Sequence, residues 1–329
     1  MEVTEKINVF NSDSLDLYDD WLKPTVIISD GPYGIGGFPG DPNTADVLRE
    51  WYKPHIKKWS KNSTPNTTLW FWNTELGWAN VHPELVANDW VFVNCHIWDK
   101  GKEHIAGNVN TKTIRHFPVV TEVCVQYVKK ATFDVNSKKM TLQEWLRYEW
   151  QRSGLPLSKT NEACGVVNAA SRKYFTNCHL WYFPPADAFE KFSEYANEHG
   201  KDEGKPYFSM DGEKVISKKE WEGMRAKFKC EFGINNVWRE PPLKGKERLK
   251  NGSKSVHLNQ KPLKFMARII ESSSDIGDVI WEPFGGLFSG MIATNNLERI
   301  GFAAEISEDV FDIGIKRIES QISVLQNVI

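Results

Sequence analysis

The sequence predicts an α/β fold: a mostly parallel sheet flanked by helices, with a largely helical domain inserted into it. Three observations lead there. Short β-branched or aromatic runs alternate with helical stretches over roughly residues 1–130. From about residue 131 to 255 the texture becomes polar, helical and irregular. The alternation then returns and lasts to the end. The expected division is one sheet domain, residues 1–130 and 256–329, split by an insert at 131–255.

Each element follows from local pattern. Thr25–Ser29 (TVIIS) reads as a short buried strand from its β-branched content, Ala45–Trp59 as a helix and Thr67–Trp72 (TTLWFW) as a strand. Thr74–Asn88 reads as a helix, and Val91–Trp98 and Glu122–Val128 as further strands. In the insert, Thr141–Arg152 has helical spacing, a turn SGLPLSKT follows, and Asn161–Phe175 resumes the spacing with a break at Gly165. Residues 141–175 are thus a candidate helix-turn-helix that would carry Arg172 and Lys173 into a DNA groove; an ordinary helical hairpin fits the same spacing. Leu243–Lys254 (LKGKERLKNGSK) gathers Lys244, Lys246, Arg248 and Lys250, either as a solvated charged loop or as a glycine-spaced track for phosphates. Lys261–Ser274 is an amphipathic helix with Pro262 in its first turn. The strand Asp278–Trp281, the loop EPFGGLFSG, a helix to Glu298, the strand Ile300–Ala304 ending in Glu305, and the helix Asp309–Val324 complete the chain.

Composition narrows the function. The chain has 329 residues, 40% of them apolar, enough for a sizeable core. A formal net charge of −2 excludes a global positive field, so any surface for nucleic acid must be local. The five scattered cysteines contain no C-x-x-C pair and read as reduced intracellular thiols, with no disulfide framework and no metal site expected. The N-terminus lacks a cationic segment followed by an apolar one, and no run of 18 apolar residues occurs, so a cytoplasmic protein without a membrane partner is expected. Fourteen tryptophans read chiefly as core, with base stacking as the lesser role.

Two unusual loops lie at strand ends, where open α/β sheets place ligands. The first, Ile27–Asp41 (IISDGPYGIGGFPGD), carries five glycines and two prolines but few side-chain donors, so it suits a phosphate poorly. Asp30 and the peptide carbonyls around Pro32 offer acceptors, and Tyr33 offers a flat ring. Such a set suits a planar group bearing an NH2. The plain alternative is a turn in which Asp30 caps a helix and Tyr33 packs inside. The second loop, EPFGGLFSG, is glycine-rich, opens a helix, and is followed about twenty residues later by Glu305, where an acid commonly binds a ribose diol. NAD and S-adenosylmethionine share that signature; the missing G-x-G-x-x-G and pyrophosphate cradle lean away from a dinucleotide. A tight strand-to-helix turn is again the plain alternative.

Together these residues resemble a known family. DGPY resembles the D-P-P-Y motif of DNA amino-methyltransferases, EPFGG their D-P-F-x-G cofactor motif, and HLNQKP (His257–Pro262) the N-Q-K-P segment ahead of it. The order, catalytic motif first and cofactor motif last, is similar to the β-group of S-adenosylmethionine-dependent N6-adenine and N4-cytosine enzymes. The match covers about residues 7–130 and 256–325. The resemblance implies a Rossmann-like methyltransferase sheet, an insert acting as target recognition domain, and double-stranded DNA as substrate. It also implies a flipped base, with adenine N6 favoured over cytosine N4, and a restriction–modification system whose endonuclease acts on the same site. Asp30, Gly31, Pro32 and Tyr33 would be catalytic. Asp13, Lys261, Pro262, Glu282, Phe284, Gly286 and Glu305 would bind S-adenosyl-L-methionine. Arg172, Lys173, Lys244, Lys246, Arg248 and Lys250 would contact DNA. Two departures stand out: Gly31 replaces a proline but keeps the carbonyl the chemistry uses, and the cofactor loop reads G-L-F in place of G-S-G. An inactive DNA-binding relative, an RNA methyltransferase and a nicotinamide dehydrogenase are the competing classes.

Overall fold

The structure, a computed structural model, describes residues 2–36, 40–101, 113–243, 248–251, 254–255 and 260–326. It divides into two compact units, residues 1–129 with 226–329, and residues 130–225. The chain thus rejoins the first unit at Ala226, earlier than the boundary at 256 expected from composition. The cause is a short strand in the polar stretch that pairs into the main sheet.

The first unit begins with β1 (Glu2–Thr4), β2 (Ile7–Asn11), β3 (Val26–Ser29), α1 (Leu48–Asn62), β4 (Thr68–Asn73), α2 (Glu75–Ala87), β5 (Trp90–Asp99) and β6 (Thr121–Lys129). The second unit holds β7 (Thr132–Val135), β8 (Lys138–Thr141), α3 (Leu142–Arg152), α4 (Lys159–Ala163), α5 (Ala169–Tyr174), α6 (Ala186–His199) and α7 (Lys218–Glu222). The first unit then resumes with β9 (Val237–Arg239), β10 (Lys250–Asn251), β11 (Lys254–Ser255), α8 (Leu263–Ser273), β12 (Val279–Glu282), α9 (Ser289–Asn296), β13 (Ile300–Glu305) and α10 (Glu308–Gln326).

Among the described residues the main sheet has nine strands, in the order β1-β2-β13-β12-β3-β4-β6-β5-β9. The run β2, β13, β12, β3, β4 is parallel throughout. β6 enters between β4 and β5, antiparallel to both, and β9 pairs parallel with the end of β5. Period-two alternation sends Val26, Ile28, Trp70 and Trp72 to one face and Ile27, Leu69 and Phe71 to the other, so each face has its own core. Trp59, Trp70, Trp72, Trp90 and Trp281 are fully buried here, each contributing on the order of 1.5–3 kcal/mol if it matches other large apolar side chains. Thr74 caps α2 by accepting from the Gly77 N–H at 3.1 Å. Pro262 stands at the N-cap of α8 with extended backbone, one position earlier than a first-turn proline.

The second unit has a separate core of Trp145, Leu146, Trp150, Phe175, Phe189 and Trp221. Thr141 with Glu144, and Ser217 with Glu220, form capping boxes that start α3 and α7. Asn161–Phe175 is not one helix. Gly165 sits at φ +68°, where the chain leaves the right-handed region, and two short helices result. α5 is six residues long, about 9 Å at 1.5 Å per residue. The helix pair expected over 141–175 is thus a run of three helices.

Candidate active site

The strands explain where the site forms. The carboxyl ends of β2, β13, β12, β3 and β4 share one edge of the sheet. From β3 the chain moves outward to β4; from β12 it moves outward the opposite way, to β13. Strand order therefore reverses between β3 and β12, the place where open α/β sheets hold ligands. Asp30 follows β3 and Glu282 closes β12. Because β6 is antiparallel, its start lies at this same edge, with Val123 opposite Asn73 and Thr121 opposite Asp99. Glu122, on β6, and Lys100, just past β5, arrive there too, although neither stands out in the sequence.

These side chains form a buried charge network. Lys261 Nζ lies 2.7 Å from Asp30 Oδ1 and 3.4 Å from Glu122 Oε2. The Tyr33 hydroxyl is 3.0 Å from Asp30 Oδ1 and 3.2 Å from Glu122 Oε2, so one proton is shared between two carboxylates. Lys100 donates to the other oxygen of Glu122. Lys261 and Tyr33 are each only 2% exposed, and the ammonium sits 5.1 Å from the Tyr33 ring and 5.4 Å from the Trp72 ring. Burial alone would lower the Lys261 pKa, but Asp30 and Glu122 outweigh it and hold the ammonium above its ordinary value. Burial would raise Glu122, but Lys261 and Lys100 outweigh it and hold the carboxyl below the usual range. Burial, then Asp30 and Glu122, push Tyr33 well above a normal phenol, so it stays a neutral donor.

The backbone of the motif is fixed from two sides. Asp41 accepts from the N–H groups of Tyr33, Gly34 and Ile35 at 2.9, 2.7 and 3.2 Å. The Pro32 carbonyl accepts from Tyr52 at 3.0 Å and Asn73 at 2.9 Å. Gly31 is required for space: a Cβ there would lie 2.6 Å from both the Phe284 ring and the Tyr52 hydroxyl oxygen. Asp30 does not cap a helix, and its Oδ2 receives no donor among the described residues; nor does the Gly31 carbonyl.

The second loop is held differently. Phe284 sits at its head, its ring among Trp51, Tyr52 and His55 at 5.5, 6.0 and 5.0 Å. Glu282, expected among the cofactor contacts, is only 2% exposed and turned inward. Its two oxygens accept from the Gly290 and Met291 N–H groups at 2.8 and 2.9 Å, so it caps α9. Burial pushes Glu282 up to about 8, against those two N–H donors. Lys261, also expected at the cofactor, is instead the counter-ion of Asp30 and Glu122. Glu305 Oε2 accepts from the Gly286 N–H at 2.8 Å and Oε1 from the Ser307 N–H at 2.8 Å, and burial raises its pKa. Asp13, just past β2, caps a short 3-10 turn through the Leu15 N–H at 2.9 Å. Phe288, where the family pattern has glycine, keeps a left-handed backbone at φ +55°, and its ring is fully buried. The ring fills the space beside Gly285 and Gly314: a Cβ on them would lie 2.2 and 2.6 Å from it. The open side of Gly285 therefore belongs to Phe288, not to a ligand.

The basic residues divide between the units. Arg172 and Lys173 are exposed on α5 of the second unit. Arg248 is half-buried in the first unit, where Lys250 lies on β10. Lys244 and Lys246 lie outside the described residues, as do His257–Asn259 and residues 37–39. A cavity of about 780 Å³ elsewhere in the first unit, lined by Trp70, His96, Trp238 and Arg268, contains none of the motif residues.

Comparison with known proteins agrees with this arrangement. The model of a family described as DNA methylase, the N6/N4 methyltransferases, matches residues 25–316. The orphan methyltransferase M.BamHII of Bacillus amyloliquefaciens is 33% identical over 127 residues, which is 35% of this chain and 42% of that protein. The match thus spans less than half of that relative's length. The M1.HpyAVI–SAM complex has a TM-score of 0.51 at 16% identity, covering 95% of this chain and 98% of that one. The cytosine-N4-specific PvuII DNA methyltransferase has a TM-score of 0.52 at 10% identity, covering 97% and 94%. Those two likenesses establish a shared fold. With the family model covering most of the sequence, the chain belongs to the N6/N4 DNA methylase family.

Proposed function

We propose that this chain transfers a methyl group from S-adenosylmethionine to the exocyclic amino group of a base in double-stranded DNA, with adenine N6 as the target. One observation carries the reading. Asp30 Oδ2 and the Gly31 carbonyl are adjacent acceptors without a donor among the described residues, while the neighbouring Pro32 carbonyl is already bound. An amino group has two N–H donors, and this pair of acceptors matches them. Bound this way, the nitrogen becomes pyramidal and its lone pair turns away from the ring system. The proton that the nitrogen sheds on gaining the methyl lies on the hydrogen bond to Asp30. Positioning and fixed charge supply the acceleration, and no covalent adduct with the chain is needed.

S-adenosylmethionine, when bound, supplies a methyl group made electrophilic by a sulfonium. The residues present fit it. Glu305 is held at the strand edge by backbone donors and keeps lone pairs for a ribose diol, Asp13 stands at the end of the adjacent β2, and Phe284 and Gly286 shape the loop between. A base inside a duplex cannot reach Asp30, so it is flipped out. Tyr33 packs inside at 2% exposure, as the plain alternative had it, and serves to hold Asp30 and not to stack on the base. The second unit is the target recognition domain, and Arg172 and Lys173 contact the phosphate backbone. The chain works within a restriction–modification system whose endonuclease acts on the same site. Aspartate at the first motif position favours adenine; cytosine N4 is the second reading, since both bases present a similar amino edge. The test is incubation of unmethylated DNA with the purified protein and labelled S-adenosylmethionine, then nucleoside mass spectrometry. N6-methyladenine is expected. N4-methylcytosine would replace the target base, and no methylated nucleoside would refute the activity.

A further inference from the structure

We propose that Glu122 and Lys100 are positioning residues for Asp30: they divide the charge of Lys261 and the hydroxyl of Tyr33 so that one oxygen of the catalytic carboxylate stays open for the amino group. This rests on the reading above for its kinetic consequence, though not for its geometry. Lys261 and Tyr33 both approach Asp30 through Oδ1 and both also reach Glu122 Oε2. Two donors thus lie between two carboxylates. Glu122 draws them to one side of Asp30, leaving Oδ2 without a donor among the described residues. Lys100 contacts the far oxygen of Glu122 and balances it, so that two ammonium and two carboxylate groups sum to zero within the buried cluster. Without Lys100 the cluster would be a buried net anion, which is costly. Without Glu122, Lys261 would have Asp30 as its main counter-ion, and the ammonium could swing across both Asp30 oxygens.

The groups that bear on Asp30 are Lys261 from the segment before α8, Tyr33 of its own loop, Tyr52 of α1, Glu122 and Cys124 of β6, and Glu282 of β12. Tyr52 and Cys124 are buried and pushed well above their ordinary values, so they stay neutral through the working pH range. Glu282, pushed up to about 8 by burial, gains its charge across neutral pH and acts alike in every variant. The charges that the variants change at Asp30 are therefore those of Glu122 and, behind it, Lys100, with Lys261 fixed between them. Removing the negative Glu122 favours ionised Asp30; removing the positive Lys100 disfavours it.

The test uses two near-isosteric variants of the full chain, Glu122→Gln and Lys100→Met, with Glu122→Asp as the conservative control. In methyl-transfer assays against pH, Glu122→Gln should lower kcat by ~10-fold or more through misplacement of Asp30, leave KM for S-adenosylmethionine within about twofold, and move the acid limb to lower pH. Lys100→Met should move that limb to higher pH, and Glu122→Asp should restore most of the rate. General damage to the fold would not shift the limb in opposite directions. The same signs are readable without any reaction, from NMR titration of 13C-labelled aspartate with Asp30 assigned through Asp30→Asn. Opposite shifts support the network even if the chain methylates nothing, which would overturn the proposed function alone. Coincident Asp30 titrations in all variants would overturn the network even where methyl transfer is intact.

Discussion

The two loops that meet between β3 and β12 are built by opposite means. The Asp30 loop is held by side-chain charge: a lysine buried to 2% exposure, two carboxylates and a shared phenol, with Lys100 at the rim. The Glu282–Gly290 loop is held by backbone N–H groups that donate to the inward Glu282 and to Glu305 at the strand edge, and by the Phe288 ring. A loop fixed by charges can present an acceptor of controlled strength but is sensitive to every neighbouring charge. A loop fixed by packing and backbone donors is less sensitive to neighbouring charges, although protonation of Glu282 near pH 8 weakens one of its anchors, and it has no room for added volume. The first suits chemistry and the second suits holding a ligand in place.

Changes on each side should separate the two. The largest effect is expected from Asp30→Ala, which should reduce methyl transfer by ~10³-fold or more, the scale on which a preorganised electrostatic group counts. Binding of S-adenosylmethionine, measured by calorimetry, should largely remain; near-normal turnover would show that Asp30 is not the acceptor. Next comes packing. Phe288→Ala should cost about 3–5 kcal/mol of stability in urea titrations, as expected for a buried aromatic truncation. Gly314→Ala should cost ~1–3 kcal/mol in the wild-type background but much less alongside Phe288→Ala, because the ring is what its methyl would strike. Additive costs would mean that the ring and the glycine are not coupled. The smallest effect is Glu305→Ala. Loss of a charged hydrogen-bonding partner should weaken S-adenosylmethionine binding by ~10-fold with little change in kcat at saturation, and an unchanged Kd would remove the ribose role.

What the sequence made legible is local. The strand at 26–29 and the two motif loops follow from a few consecutive residues, and the structure puts the loops side by side at the crevice. What it hid depends on distant partners. Lys261 looks like a cofactor residue from its motif, yet its counter-ion Asp30 is 231 positions away. Glu122 reads as one polar residue in an apolar strand; its role appears only because β6 inserts antiparallel beside β4. The return of the chain at Ala226 turns on the three-residue strand β9, too short to show a period. The break expected at Gly165 within 161–175 is there, but the left-handed φ that makes it two separate helices is not readable from the sequence.

Gly31 leaves one last consequence, which concerns how substitutions at three positions combine. The space a side chain at 31 would need is taken by the Phe284 ring and the Tyr52 hydroxyl. Gly31→Pro therefore requires the side chains at both 52 and 284 to give way. The three sites are coupled, so a side chain added at 31 should cost more by itself than beside smaller side chains at 52 and 284.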